Sequence, residues 1–266
     1  MNNNPIGVFD SGLGGLTVVK AIQDLLPNES VIYLGDTARV PYGNKSQQTI
    51  KKYSFQIADF LIENGAKIIV IACNTASALA IEDVKKYVEI PVVGVIDPGV
   101  ETAINSTRNK QIGVIGTTAT IRSMEYEKKL KTADPVVNVV SQSCPLFVPL
   151  VEEGWLDGTI AEDIAKIYLK PITSANIDTL VLGCTHYPLL KPLLQSQIGN
   201  EIKIIDSAYP VANKIDKLIT STEIQTEKNS KGDLSCFTTD ILSQFESIAE
   251  RFLDSPVTTV STVTLE

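Results

Sequence analysis

The chain has 266 residues, of which 44% are hydrophobic, and a net charge of −8 at pH 7. That length suits one large domain or two small ones, each with a buried core. The acidic balance excludes a surface built for nucleic-acid phosphates, so we expect a small polar ligand and no nucleic-acid partner. No basic-then-apolar leader opens the sequence, and no apolar run approaches the roughly 18 residues of a membrane span. We therefore expect a cytoplasmic protein with no membrane contact.

The cysteines and the histidine limit the metal chemistry. Cys73, Cys144, Cys184 and Cys236 form no CxxC pair, and His186 is the only histidine. This set lacks the ligands of a structural zinc site, so no metal is expected. Four free thiols in a reducing compartment fit the pattern best.

Short apolar runs alternate with amphipathic helical segments along most of the chain. Residues 46–64 and 159–174 have helical periodicity, and Pro188 suits the first turn of a helix. The alternation is typical of βαβ units and predicts an α/β fold with parallel sheets. The predicted strands are Ile6–Phe9, Val31–Leu34, Ile68–Ala72, Val92–Ile96, Ile112–Ile115, Val136–Val140, Thr179–Gly183 and Ile202–Ile205.

Three segments recur in order at offsets between 106 and 111 residues: IGVFDS at 6 with IGVIGT at 112, IIVIACNT at 68 with TLVLGCTH at 179, and VID at 95 with IID at 204. This repeat predicts two pseudo-symmetric α/β domains with the active site in the cleft between them. The first domain is expected at 1–97 and the second at 98–206. Residues 207–266 are expected to return to the first domain, with a helix or two and a strand such as Val257–Val263.

The repeat matches Cys73 with Cys184, each just after a buried strand and before a predicted helix. Ligands of open α/β sheets bind at this edge, and a helix N-terminus there would lower a thiol pKa toward neutrality. Two thiols on opposite sides of a cleft suit inversion at a carbon that bears a weakly acidic hydrogen. One removes the proton and the other supplies a proton to the opposite face. For Cys144 and Cys236 we expect buried packing.

Other polar residues follow the same strands. His186 could hold the thiolate of Cys184, move its proton or contact the substrate, and Asp10 could do the same for Cys73. The loop Asp10–Gly15 fits no nucleotide-binding spacing. Its glycines are expected to let backbone N–H groups approach a substrate carboxylate, with Asn74, Thr75 and Thr185 as further neutral donors.

Seven motifs in order carry a resemblance to a known family: DSGLGGLTV (10–18), GDTARVPYG (35–43), ACNTASA (72–78), GTTATIRS (116–123), PLVEEG (149–154), LGCTHYPLL (182–190) and IDSA (205–208). Together they closely resemble the glutamate racemases of the aspartate/glutamate racemase superfamily. The likeness spans about three quarters of the chain and leaves the tail after about residue 220 undiagnosed.

The resemblance implies a cofactor-independent isomerase that interconverts L- and D-glutamate and supplies D-glutamate for peptidoglycan. It implies that Cys73 acts on the D-enantiomer and Cys184 on the L-enantiomer, assisted by Asp10 and His186. Glu152 is expected near His186, behind the substrate contacts, and the family is commonly homodimeric. The implied substrate contacts are Asp10, Ser11, Tyr42, Gly43, Asn74, Thr75, Thr117, Thr120, Thr185 and His186.

Three alternatives stay open at this point. A racemase of aspartate would use the same thiol pair on a shorter substrate. A two-lobed binding protein also has similar α/β halves around a ligand, but it needs no matched cysteines. A hydrolase built on Cys184 and His186 would leave Cys73 without a role.

Overall fold

The strands of the computed structural model lie in two parallel sheets, and the structure describes residues 2–240, 245–255 and 260–265. Every strand pair within these ranges is parallel. The strands are β1 (Ile6–Asp10), β2 (Val31–Gly35), β3 (Ile68–Ile71), β4 (Val92–Gly94), β5 (Gln111–Gly116), β6 (Asn138–Ser143), β7 (Thr179–Gly183), β8 (Lys203–Ile205), β9 (Leu234–Thr238) and β10 (Val260–Thr262).

Helices connect most of these strands. The α-helices are α1 (Leu16–Leu25), α2 (Gln47–Glu63), α3 (Asn74–Tyr87), α4 (Ile96–Ser106), α5 (Thr118–Ser123), α6 (Glu125–Ala133), α7 (Phe147–Glu152), α8 (Gly158–Thr173), α9 (Lys191–Ile198), α10 (Ala208–Ser221) and α11 (Phe245–Leu253). Short 3₁₀ helices cover Thr37–Arg39, Tyr42–Asn44 and Tyr187–Leu190. The helical predictions at 46–64 and 159–174 are confirmed by α2 and α8. Ser46 caps α2 by accepting a hydrogen bond from the Thr49 backbone N–H at 3.2 Å.

The two sheets share one strand order. The first runs β10-β9-β2-β1-β3-β4 and the second runs β6-β5-β7-β8. The order β2-β1-β3-β4 in the first sheet therefore corresponds, strand by strand, to the order β6-β5-β7-β8 in the second. The repeated segments therefore occupy equivalent positions: β1 matches β5, and β3 matches β7. The α/β class with two pseudo-symmetric parallel sheets is confirmed.

The end of the chain adds to the first sheet. Strand β9 pairs with β2, β10 pairs with β9, and α10 and α11 pack against α1. Strand β9 was not predicted from the sequence. Strand β10 overlaps the predicted strand Val257–Val263, of which 257–259 lie outside the described residues. The domain limits at 97 and 206 stay a prediction.

The cores follow from the alternation of side chains along buried strands. In β1 and β3, Val8 and Val70 point into one hydrophobic cluster, and Phe9 and Ile71 point into another on the opposite face. The first cluster continues into the second sheet, where it includes Val114. The two sheets are thus joined by continuous apolar packing.

Three predicted elements differ from the structure. Strand β4 ends at Gly94, two residues before the predicted end at Ile96, which is instead the first residue of α4. Strand β6 spans Asn138–Ser143, not Val136–Val140, and Val136 is 72% exposed. Because β6 is an edge strand, its outer face is solvated and its later, polar residues can pair with β5. A 3₁₀ helix follows Cys184, and the α-helix begins only at Lys191. Pro192 is the second residue of this α-helix and suits its first turn, where a backbone N–H has no partner within the helix.

Candidate active site

A cavity of about 360 Å³ lies where the carboxyl ends of β1, β3, β5 and β7 face each other. Both repeated halves contribute to its wall, as expected for open α/β sheets, whose ligands bind beyond the strand ends. The lining residues are Ser11, Gly12, Val40, Pro41, Tyr42, Gly43, Asn44, Cys73, Asn74, Thr75, Thr117, Thr118, Pro145, Val148, Pro149, Glu152, Cys184, Thr185 and His186.

Cys73 occupies the N-cap position of α3, directly after β3. Its thiol donates a long hydrogen bond to Ser11 Oγ, with 3.6 Å between sulfur and oxygen. Burial, reinforced by the negative charge of Asp10, raises the pKa of the Cys73 thiol to about 12. From the sequence, the helix N-terminus was expected to lower this pKa. That expectation was wrong for the protein alone, because removing the thiolate from water outweighs the helix dipole.

Cys184 lies at the equivalent position of the second half, after β7. Its sulfur is 4.0 Å from His186 Nδ1, and the opposite ring nitrogen, Nε2, is 3.1 Å from Glu152 Oε1. Burial lowers the pKa of His186, but the hydrogen bonds to Cys184 and Glu152 outweigh burial and raise it to about 10. The imidazole therefore lies between the Glu152 carboxylate and the Cys184 thiol and contacts both.

Asp10 ends β1 and is fully buried. Its Oδ2 accepts hydrogen bonds from the backbone N–H groups of Gly12 (3.3 Å) and Gly15 (3.1 Å). Its Oδ1 is buried and has no hydrogen-bond partner among residues 2–240, 245–255 and 260–265. Burial raises the pKa of Asp10, and His186 and the backbone N–H groups offset part of that rise. The expectation that these glycine N–H groups face a substrate carboxylate is corrected, since those of Gly12 and Gly15 bind Asp10.

The glycine-rich loop brings the halves into close contact. A β-carbon added at Gly14 would lie 2.4 Å from His186 Nδ1 and 2.4 Å from Thr185 Oγ1. Thr17 Oγ1 is also 3.3 Å from the carbonyl oxygen of Thr185 and donates to it. The loop needs glycine at position 14 because the histidine of the other half occupies the space of a side chain.

Three threonine hydroxyls form a cluster across the cleft. Thr75 Oγ1 is 2.9 Å from Thr117 Oγ1 and 3.3 Å from Thr120 Oγ1, and the last two are 2.9 Å apart. Thr120 and Asp10 do not line the cavity, although both were predicted as substrate contacts. They lie behind its wall, where Thr120 touches the lining threonines and Asp10 supports the glycine loop. Their direct contact with a substrate stays a prediction.

Tyr42 is fixed by a buried network that was not predicted from the sequence. Its hydroxyl donates to Asp36 Oδ2, and Arg39 Nε bonds both oxygens of Asp36 at 2.7 and 2.8 Å. Thr239, from the returning tail, donates to Asp36 Oδ1 at 2.8 Å. These contacts hold the 3₁₀ helix that carries Tyr42 and Gly43 into the cavity wall. The segment GDTARVPYG signalled this site, but the role of Asp36 depends on Thr239, which lies 203 residues away.

Three other contacts were also missed. Tyr126 in α6 donates a hydrogen bond to Asn74 Oδ1 at 2.7 Å, across the two halves. Phe252 in α11 packs edge-on against the His186 ring, with 5.4 Å between ring centroids, and Arg251 donates to the Glu152 carbonyl at 3.2 Å. No local motif marks Tyr126, Arg251 or Phe252, since their partners are distant in sequence.

The remaining thiols lie outside the cavity wall. Cys144 and Cys236 are buried, burial raises both pKa values, that of Cys236 to about 12, and all four cysteines are free. The positions of Cys144 and Cys236 agree with the expectation of packing. In the described part of the chain, no three His, Cys, Asp or Glu residues are grouped to hold a metal ion. None of the described helices is both long and apolar enough to cross a bilayer.

Comparison with known proteins agrees with this geometry. Residues 6–214 match the family model described as Asp/Glu/Hydantoin racemase. A glutamate racemase of Geobacter metallireducens is 48% identical over 261 residues, covering 98% of this chain and 97% of that protein. The crystal structure of glutamate racemase from Francisella tularensis in complex with D-glutamate superposes with a TM-score of 0.94 at 40% identity, covering 100% of this chain and 99% of that one.

A second solved structure, glutamate racemase isoform RacE1 from Bacillus anthracis, has a TM-score of 0.95 at 40% identity over 100% of this chain and 99% of that one. The family model covers strands β1 to β8, which are the repeated strands of both sheets, and both cysteines of the cleft. From this match and the full-length similarity of the relatives, the chain belongs to the Asp/Glu/hydantoin racemase family.

Proposed function

We propose that this protein is a glutamate racemase that inverts the α-carbon of glutamate with two thiols. One observation carries the proposal: Cys73 and Cys184, at equivalent ends of duplicated sheets, line the same cavity of about 360 Å³. Full-length relatives named glutamate racemase support the choice of substrate.

The reaction needs one thiolate and one thiol at its start. Cys73 as thiolate removes the α-proton of D-glutamate, and the electron pair of the C–H bond stays on the substrate as a carbanion. Cys184 as thiol then gives its proton to the opposite face, which yields L-glutamate and a thiolate at Cys184. The reverse direction uses the opposite assignment, and no electrons are gained or lost overall.

Substrate charge provides a reason for the thiolate to form at Cys73. Burial and Asp10 raise the pKa of the Cys73 thiol to about 12, which favours the protonated form. The α-ammonium of glutamate, brought beside Cys73 and Asp10, opposes both effects because it adds a positive charge. Proton removal is thereby coupled to binding of the correct substrate.

On the other side, His186 is the proton partner of Cys184. Its Nδ1 faces the sulfur at 4.0 Å, and Glu152 orients the ring through Nε2 at 3.1 Å. An imidazole oriented in this way can hold the charge of the thiolate or exchange a proton with it. We propose that Asp10 assists Cys73 in the same way. We also propose substrate contacts for Ser11, Tyr42, Gly43, Asn74, Thr75, Thr117, Thr120 and Thr185.

The deciding experiment follows chirality and isotope content together. Purified protein is incubated with L-glutamate in deuterium oxide, and D-glutamate carrying deuterium at the α-carbon is expected. L-Aspartate in a parallel reaction tests the alternative substrate, and faster turnover of aspartate would overturn the choice of glutamate. Binding of glutamate without α-deuteration would instead support the two-lobed binding protein.

One contact favours the hydrolase alternative, since Cys184 Sγ is 4.0 Å from His186 Nδ1. It still leaves Cys73 in the same cavity without a role. A screen of glutamyl amides and esters with the Cys73→Ala variant separates the two activities. A hydrolase would keep its activity in this variant, whereas a two-thiol racemase would lose turnover.

Four finer properties belong to the same proposal. We propose turnover without added cofactor or metal, a homodimer, a cytoplasmic location, and use of the D-glutamate product in peptidoglycan. Activity after exhaustive dialysis against a chelator and a carbonyl reagent tests the first, and sedimentation equilibrium tests the second. Fractionation of cells tests the third, and rescue of a bacterium that requires external D-glutamate tests the fourth.

A further inference from the structure

The bond between Tyr126 and Asn74 has a consequence for substrate binding. Asn74 is the first residue of α3 and lines the cavity, with 2% of its surface exposed. Tyr126 lies in α6 of the other half, is 3% exposed, and donates its hydroxyl proton to Asn74 Oδ1 at 2.7 Å. The two residues are 52 positions apart and join the halves of the cleft.

The other end of the Asn74 side chain is left without a partner. Asn74 Nδ2 is buried and makes no hydrogen bond to any residue in the described ranges. A buried amide N–H₂ without an acceptor costs free energy, so such groups are normally satisfied by protein, water or ligand. Since Asn74 lines the cavity, water in the cavity or a ligand bound there can satisfy it.

The tyrosine decides which end of the amide is left free. If the amide were turned by 180°, Nδ2 would donate to the Tyr126 oxygen and the carbonyl Oδ1 would be free instead. The hydroxyl proton of Tyr126 would then lose its acceptor in a buried site, which the observed arrangement avoids. Burial also raises the pKa of Tyr126, which keeps the hydroxyl protonated and a donor.

We infer that Tyr126 is a positioning residue that locks the Asn74 amide with Nδ2 free to donate to a carboxylate of the substrate. The inference rests on the proposed function, because it takes the ligand of the cavity to be an anionic amino acid. It also explains how a site with no lysine or arginine among its described lining residues can favour an anion: its neutral donors are fixed in advance.

The test removes only the hydroxyl. In Tyr126→Phe the amide is free to turn, so KM for both glutamate enantiomers is expected to rise about fivefold while kcat stays within about twofold. The affinity for D-glutamate, measured by calorimetry on Cys73→Ala and on Cys73→Ala/Tyr126→Phe, is expected to fall by the same factor. Tyr87→Phe is the matched control, because it loses a hydroxyl bond to Asp59 about 20 Å along α3 from Asn74.

Two further variants separate positioning from structural support. Asn74→Asp keeps an acceptor for Tyr126 but has no N–H to donate, so KM is expected to rise at least about tenfold. In an Asn74→Ala background, Tyr126→Phe is expected to raise KM no further, because the group that it orients is gone.

The results that overturn the inference are distinct from failure of the proposed function. If wild-type protein does not racemise glutamate, the proposed function is wrong. If it does, then an unchanged KM in Tyr126→Phe, an additive effect in the Asn74→Ala background, or an unaffected Asn74→Asp enzyme overturns the positioning role. Failure of Tyr126→Phe to fold while Tyr87→Phe folds also overturns it, because the bond would then be structural.

Discussion

Gly14 and His186 are in contact across the two halves of the protein, so close that a β-carbon at position 14 would lie 2.4 Å from the Nδ1 atom of the imidazole. The same nitrogen faces the sulfur of Cys184 at 4.0 Å. Any side chain at position 14 must therefore move the histidine away from its thiol or push the halves apart.

Gly14→Ala is expected to lower kcat/KM roughly 100-fold, since displacements of about 1 Å in a catalytic group have effects of that size. Racemisation followed by polarimetry or circular dichroism gives the rate. Gly65→Ala is the control, because a β-carbon there meets no atom within 4 Å and the only cost is that of its positive φ of 81°. A Gly14→Ala enzyme as active as the control would show that the His186 ring need not occupy this position.

Alanine at either Cys73 or Cys184 is expected to reduce kcat/KM in both directions by roughly 10³-fold, since in the proposed mechanism each thiol moves a proton in every turnover. The ratio of kcat/KM for the two directions must stay fixed, because an enzyme cannot change the equilibrium constant. Cys144→Ala and Cys236→Ala are the matched controls, since these cysteines are buried outside the cavity wall. Full activity of Cys73→Ala would refute the two-thiol mechanism.

The single histidine allows a direct measurement of protonation. His186 gives the only imidazole signals in NMR spectra of the chain, and its pKa is expected near 10 in the folded protein. Glu152→Gln removes the negative charge of one of the two hydrogen-bond partners that raise this pKa, so the midpoint is expected to move to lower pH. A titration near pH 6.5 in wild type, unchanged by Glu152→Gln, would contradict the contact at 3.1 Å.

The same shift predicts a pH dependence of stability. The folded pKa of His186 lies above its unfolded value of about 6.5, so its stabilising contribution is complete below pH 6.5 and is lost as pH rises through about 10. Between about pH 6.5 and 9, the Tm of wild type is expected to fall more steeply than that of His186→Asn. Parallel curves for the two proteins would mean that the histidine is not protonated in the fold.

Asp36 is expected to matter for both stability and substrate binding, although it lies outside the cavity wall. It is fully buried and accepts hydrogen bonds from Tyr42, Arg39 and Thr239. Asp36→Asn weakens the ion pair and is expected to cost roughly 2 kcal/mol in the free energy of unfolding, less than for a fully buried pair because Arg39 is partly exposed.

Urea unfolding and KM for glutamate measure the two effects of Asp36→Asn. KM is expected to rise because Tyr42 and Gly43 shift in the cavity wall. The control is Asp163→Asn, since Asp163 forms an exposed ion pair with Lys166 at 3.4 Å and should change neither quantity. Equal results for the two variants would mean that the buried network does not hold the wall in place.

Local patterns predicted the features that depend on strand ends. Buried parallel strands read as short apolar runs, and their carboxyl ends meet at one edge, so the positions of Cys73, Cys184 and their neighbours followed from spacing. The repeat made the equivalence of the two cysteines visible. The contact between His186 and Glu152 came only from the resemblance to a family, because 34 residues separate the pair.

The features that were missed depend on distant partners. Strand β9 is short and partly polar, and it becomes a strand by pairing with β2, about 200 residues earlier. The orientation of Asn74 depends on Tyr126, and the anchoring of Tyr42 depends on Thr239 through Asp36. The raised pKa of Cys73 is a property of burial, which no motif encodes. Each of these needed the tertiary structure.

The strand order also has a consequence for the way the protein is made. All strands of the second sheet lie between residues 111 and 205, whereas the first sheet combines strands from residues 6–94 with β9 and β10 at 234–262. Chains generally begin to fold during synthesis, and pairing between distant segments is slow. On the ribosome, the later half of the cleft can therefore close first. The earlier half has to wait, with the edge of β2 uncovered, until β9 has been synthesised.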